Sequence, residues 1–279
     1  MTVSEAESEL GGRVLAESAL KGLLAWKRVR DIRVHELQQL ANVSLYTNSR
    51  LTVDDIYEFS ADKVILATGS RWRTDGVGRS SREPISGVDK LCVMAPEDIM
   101  SGDLPGQGPV VVYDDDQVYL AGVVADHLAD KLKNGGPDIH FVTPASVVSP
   151  WCEHTLEQQR IQKSLLEAGV HIHANHTITS AGSANVTLQC IYTAKQSLLS
   201  CGTLVPVTER VPDNALFESL AQTGIAAEVI GDAFAPGLIA DAVFTGHLAA
   251  RSFQEDEGEI KMVEFRRELP SLESHAADT

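Results

Sequence analysis

The sequence predicts an α/β protein built on parallel β-sheet, and three observations carry that expectation. Two apolar runs, 63–67 (KVILA) and 109–113 (PVVVY), are followed by turns, as strands buried on both faces are. The second run leads into a helical pattern over 118–132, with Leu120, Val123, Val124, Leu128 and Leu132 at spacings of three and four. A strand-like segment over 138–143 (DIHFVT) follows, and strand, helix and strand within about thirty residues make a βαβ unit whose strands run parallel. Hydrophobic residues at 43% and charged residues at 22% set aside the disordered, collagen-like and coiled-coil classes.

The remaining elements follow in order. Residues 26–40 read as a helix carrying Arg28, Arg30 and Arg33, a basic cluster that suits a solvated face or a contact with an acidic partner. Gly135-Gly136-Pro137 ends the 118–132 helix. A helix over 155–168 stops at Gly169 and enters a strand over 170–173. From 177 to 207 the alternating segments ITSA, VTLQCIY and TLVPV predict a hairpin-like section. Residues 227–230 form a last strand, Gly231-Asp232 a turn, and 238–253 a helix, and the acidic tail beyond is expected to be loosely held.

Charge narrows the partners. Against 23 Lys and Arg stand 39 Asp and Glu, a formal charge of −16 that repels nucleic acid and anionic membranes, so neither is expected as a partner. No apolar stretch approaches the ~20 residues that span a bilayer, and the opening MTVSEAESEL lacks the basic and apolar regions of a leader, so the expectation is a cytoplasmic protein. Cys92, Cys152, Cys190 and Cys201 are widely spaced, so reduced, packed thiols are expected and no cysteine-held metal. His171, His173 and His176 lack a matching acid or cysteine and read as strand histidines, not zinc ligands. No nucleophile elbow is present, and hydrolase chemistry has no support.

Three short strings carry binding chemistry. Glu5 followed by Gly11-Gly12-Arg13 resembles the end of a second strand in a dinucleotide-binding fold, where the acid accepts hydrogen bonds from ribose hydroxyls and the glycines let the backbone pass close to the nucleotide. Taken alone the string also fits a surface turn. Ala67-Thr68-Gly69 offers a second close-approach turn. Gly231-Asp232-Ala233, followed by Ala235-Pro236-Gly237 and a helix, offers the third, with helix N–H groups that can face a phosphate.

In this order the strings resemble flavoproteins with two dinucleotide-binding folds. GGRVLAESALKGLLAW, ADKVILATGSRWRTDG, VVVYDDD and GDAFAPGLIADAVFTGHLAAR are similar to the C-terminal region of the trimethylamine, dimethylamine and histamine dehydrogenase family, over residues 3 to about 268. The resemblance implies a split FAD- or ADP-binding, Rossmann-like domain over 1–75 and 215–279, with a degenerate NAD(P)-binding-like domain over 76–214 inserted in it. It further implies that Glu5 binds the adenosine ribose and that Gly11, Gly12 and Arg13 line the nucleotide. Thr68, Gly69 and Trp72 would close over it, and Gly231 with Asp232 would approach its phosphate side. None of these roles is catalytic.

In that family an N-terminal barrel holds the covalent flavin mononucleotide, the amine site and a four-iron cluster, and the C-terminal part supports docking of an electron-transferring flavoprotein. This sequence holds neither the barrel nor the first βα unit with its GxGxxG phosphate loop, which should lie about thirty residues before Glu5. That unit supplies the central strand of the sheet, so two open ladder edges and weak nucleotide affinity are expected unless another chain supplies it. The expected function is therefore the nucleotide-binding, partner-docking part of an amine dehydrogenase-like oxidoreductase, not catalytic as a lone chain. The alternatives are a subunit whose barrel is separately encoded, and a remnant that binds nothing. Asp114-Asp115-Asp116 stands where the inserted fold would need glycines, so no NAD(P)H site is expected there, and a calcium loop lacks its ligand spacing. Glu209 in VTER replaces a glycine of the family's turn.

Overall fold

A computed structural model describes residues 1–106, 108–133 and 135–252. The acidic tail, and Phe253 at the expected end of the last helix, lie outside the described residues.

Thr2–Ser4 (β1) pairs in parallel with Ser44–Tyr46 (β2), Val3 opposite Leu45, and helices Gly12–Ser18 (α1) and Lys27–Gln39 (α2) make the crossover. Val53–Phe59 (α3) begins with a capping box: Asp55 N–H donates to the Thr52 hydroxyl and the Asp55 carboxylate accepts from Thr52 N–H at 2.7 Å. Val64–Leu66 (β3) then pairs in parallel with Ala227–Val229 far along the chain. Among the described residues these two ladders share no strand: β1 is bonded to β2, and β3 to residues 227–229. Ile56, Leu66 and Leu220 form a small core beneath the second ladder.

Ser70–Trp72 (β4) leaves this half and enters a five-stranded sheet through Cys92–Val93 (β5) and Pro96–Met100 (α4). Val110–Asp114 (β6) is its middle strand, and all five residues are buried, which is why the sequence reads as a continuous apolar run and not as an alternation. Leu120–Leu132 (α5) packs back across it, burying Leu120, Val123, Val124 and Leu128, and Ile139–Val142 (β7) continues the sheet. The helix expected over 155–168 runs as Gln158–Glu167 (α6), because the turn over Pro150–Glu153 occupies the approach to it, and His171–His173 (β8) closes that edge.

The section over 177–207 separates into two structures. His176–Ala181 (β9), Asn185–Cys190 (β10) and Gln196–Ser200 (β11) form the antiparallel meander that alternation predicts. Thr203–Val207 (β12) does not belong to it. Its five residues are all buried and it lies parallel between β5 and β6, in the order β5-β12-β6-β7-β8, since only a strand apolar on both faces fits that position. Arg210–Pro212 (β13) returns antiparallel to β4, with Arg210 opposite Trp72. Ala215–Thr223 (α7) ends at Gly224 in the left-handed region, Ala227–Val229 is β14, and Ile239–Arg251 (α8) completes the described fold.

The main core lies between α5, α6 and the large sheet, and it draws in Leu20, Leu23 and Trp72 from the first half. Phe141 on β7 is 0% exposed in that core. Phe141→Ala is expected to destabilise the fold by about 3–5 kcal/mol through lost burial and a residual cavity, which a urea midpoint measured against the parent chain checks.

Candidate functional site

The glycine turns stand at the C-terminal ends of β1, β3 and β14. Glu5 follows β1, with its N–H on Tyr46 O at 2.8 Å, and its half-buried carboxylate accepts the Glu7 N–H at 3.1 Å. Gly11 has φ +124, and a side chain there would stand 2.7 Å from Arg30 Cγ. Arg30 clasps this loop: Nε donates to Leu10 O at 2.8 Å, and the guanidinium pairs with Glu9 at 3.0 Å and Asp31 at 2.9 Å. The expected basic patch on α2 is thus divided, since Arg30 is spent on the turn. Gly12 begins α1 with open space in front of it, and Gly69, at φ +83, is also open. The Thr68 hydroxyl donates to Asp213 O at 2.6 Å. Gly231 has φ +61, and its N–H donates to the Thr245 hydroxyl on α8 at 3.0 Å.

Asp232 is the hub that joins these turns. Its Oδ2 lies 2.5 Å from Arg210 Nη1 and 3.3 Å from Arg13 Nη1, and accepts the Ser70 hydroxyl at 3.2 Å. Its Oδ1 accepts the Gly237 N–H at 3.0 Å. Both arginines also donate to Gly237 O, Arg13 at 3.0 Å and Arg210 at 2.6 Å. Arg210 lies over the Trp72 ring, 5.2 Å from its centroid. Trp72 is only 8% exposed, and its backbone N–H donates to Glu97 Oε1 at 2.9 Å. Arg13 and Asp232, 219 positions apart in sequence by their numbers, thereby link the turn after β1 to the turn after β14.

A buried extension of this network reaches the large sheet. Glu17 on α1 is 0% exposed and accepts the Tyr119 hydroxyl at 2.7 Å, and Arg13 Nε stands 3.4 Å from its other oxygen. Burial pushes the Glu17 carboxyl up, while Arg13 and the Tyr119 hydrogen bond pull against that shift. Tyr119 packs edge-on against Trp26, with centroids 4.8 Å apart, so the approach to α5 is filled by side chains.

The acidic triplet occupies the turn between β6 and α5. Asp114 is completely buried; one oxygen accepts the Gln117 N–H at 2.8 Å, the other has no hydrogen bond of good geometry among the described residues, and the Thr143 side chain acts on the carboxyl. Burial therefore holds its carboxyl well above the usual range. Asp115 accepts the Ser80 N–H at 2.8 Å and the Ser80 hydroxyl at 2.5 Å, and burial raises it too. Asp116 is pushed up to about 6 by burial, with Arg79 3.7 Å away opposing the shift.

Of the residues singled out in the sequence, Arg13, Trp72 and Asp232 meet in one network, while Glu5, Gly11, Gly12, Thr68, Gly69 and Gly231 form the turns around it. Glu17, Tyr119 and Arg210 carry no mark in the sequence, and Arg30, expected in a basic cluster on a solvated or partner-facing helix, instead holds the Leu10 carbonyl, because each acts through a partner distant in the chain. His171 and His173 sit beside His140, whose ring stacks on His171 at 5.0 Å, but no group of three or more histidines, cysteines or acids among the described residues is arranged to hold a metal. Among those residues no helix is long and apolar enough to cross a membrane.

No family model matches the chain. It is 28% identical to dimethylamine dehydrogenase of Hyphomicrobium sp. over 284 residues, covering 90% of this chain and 38% of that one. It is 40% identical, at a TM-score of 0.87, to the 6-hydroxypseudooxynicotine amine oxidase of Pseudomonas geniculata, covering 91% of this chain and 38% of that one. Histamine dehydrogenase from Rhizobium sp. 4-9 matches at 38% identity and a TM-score of 0.88, over 96% of this chain and 42% of its own. The chain belongs to the trimethylamine, dimethylamine and histamine dehydrogenase family. It spans 38–42% of the length of these family members, all named for enzymes that oxidise or dehydrogenate amines.

The buried Asp114 generates a pH prediction. Its folded-state pKa lies above the unfolded value, so the neutral acid is the form the fold favours, and stability is lost as pH rises toward the folded pKa. Asp114→Asn keeps an acceptor for the Gln117 N–H and removes the titration. The variant is expected to melt at least about 2–4 °C above the parent at about pH 8, with the gap closing below about pH 4, where the unfolded chain's carboxyl is protonated as well. Thermal scans at both pH values check this, and an equal gap at both contradicts it.

Proposed function

We propose that the chain forms the adenine-nucleotide-binding and partner-docking part of an amine dehydrogenase-like flavoprotein, and that it is not catalytic as a lone chain. One observation carries the reading. The Arg13–Asp232 ion pair at 3.3 Å ties together two glycine turns from opposite ends of the chain, both at the C-terminal ends of parallel strands, the position where α/β folds bind nucleotides.

The residues fit an adenosine diphosphate in part. Gly12 and Gly69 leave open backbone, and the Glu5 carboxylate is engaged by a single neighbouring N–H, leaving acceptor capacity for ribose hydroxyls. Arg13 and Arg210 neutralise Asp232, so a phosphate near Gly231 meets cations as well as that acid. FAD and ADP share the adenosine half and both suit this arrangement. In this reading residues 1–75 and 215–279 form the nucleotide-binding domain and 76–214 the inserted one. The flavin mononucleotide and the four-iron cluster belong to the family's barrel, and an electron-transferring flavoprotein is the redox partner.

The unpaired edges of β1 and β3 favour one elaboration: a parallel strand, supplied by a barrel-bearing segment or by a separately encoded barrel subunit, completes the sheet. Isothermal titration of the purified chain with ADP and with FAD tests the reading. Stoichiometric binding is expected, weakened at least about tenfold by Glu5→Ala, a loss of about 1.4 kcal/mol. Silence with both nucleotides supports a remnant instead. Reduction of a dye by the lone chain with a secondary or tertiary amine contradicts the non-catalytic assignment.

A further inference from the structure

Glu17 is a fully buried carboxylate with half of its hydrogen-bonding capacity unfilled. Its Oε2 accepts the Tyr119 hydroxyl at 2.7 Å, whereas Oε1 has no hydrogen-bond partner and rests on Arg13 Nε at 3.4 Å. Four charged or titratable groups face it: Arg13 from its own helix, Tyr119 and Asp116 from the approach to α5, and Asp232 from the turn after β14. Arg13 is the sole cation among them. Asp232 would keep Arg210 at 2.5 Å if Arg13 turned away, whereas Arg13 is the one cation within ion-pair distance of Glu17 among the described residues.

We propose, resting on the reading that a nucleotide diphosphate binds beside the Gly12 turn, that the diphosphate takes Arg13 away from Glu17 and that Glu17 takes up one proton from solvent as it does so. The guanidinium keeps its charge throughout, Tyr119 keeps its bond to Oε2, and the proton goes to Oε1. The physical reason is the cost of a buried carboxylate without a counter-ion, which is relieved by protonation. Burial already raises the Glu17 carboxyl and Arg13 is the largest influence opposing it. Binding is then tighter at low pH, and affinity falls by up to about tenfold per pH unit where uptake is complete.

The probe is ADP-ribose, whose diphosphate is esterified at both ends and carries no titrating proton near neutrality. Calorimetric titration of the full chain is run at one pH, near 7.5, in two buffers of different ionisation enthalpy. The expected heats differ by an amount that corresponds to about one proton taken up. Glu17→Gln is expected to abolish that difference while ADP-ribose still binds. Tyr119→Phe, which removes a bond favouring the ionised form, is expected to move the pH midpoint of the affinity upward. Heats independent of buffer, or uptake that persists in Glu17→Gln and so belongs to Asp116, overturn the proposal. If ADP binds and ADP-ribose does not, the proposal fails and the nucleotide reading stands; if neither binds, both fail.

Discussion

The Asp232 carboxylate is the constraint on which the rest of the site depends. It is flanked by Arg13 and Arg210, bonded to the Ser70 hydroxyl and capped by the Gly237 N–H, so one anion collects four donors from four parts of the chain. Its side chain is 10% exposed, and little screening reaches it. Such a pair is weak evidence for stability in itself, because desolvation offsets much of the attraction. Its value here is geometric: two glycine turns and the β4–β13 ladder are tied to one carboxylate.

The two groups of parallel strands differ in how open their turns are. The half with β1, β2, β3 and β14 keeps open glycine turns but is divided into two ladders without a shared strand. The half with the five-stranded sheet is complete and tightly packed, yet its turn after β6 carries a buried acid where a pyrophosphate would need bare backbone. Tyr119 and Trp26 fill the adjoining space, and Tyr119 turns that filled site into a support for Glu17 and thereby for Arg13.

Much of the fold was legible in the sequence because its strands and helices obey local periodicity. β6, α5 and β7 stand within a few residues of the expected bounds, and the turns at Gly69 and Gly231 have the positive φ that the strings imply. The misplacement of β12 in a hairpin section has a clear cause: its TLVPV run sits beside alternating strands, and only the pairing partner, not the composition, distinguishes a central strand from a hairpin arm. The ion network was legible in part. Arg13 and Asp232 stand next to glycine turns and announce themselves, while in the VTER string Glu209 drew notice rather than Arg210, and Glu17 occupies an ordinary helical position. Long-range pairing leaves no local signature, so Arg30 read as one of three arginines in a basic cluster when it is the clasp on the Gly11 turn.

The most direct measurement is a crystal structure of the chain grown with ADP. The account places the ribose hydroxyls on the Glu5 carboxylate and the diphosphate between the Gly12 and Gly231 turns, within reach of Arg13. A nucleotide seated instead in the inserted domain, against Asp114 and the start of α5, contradicts it.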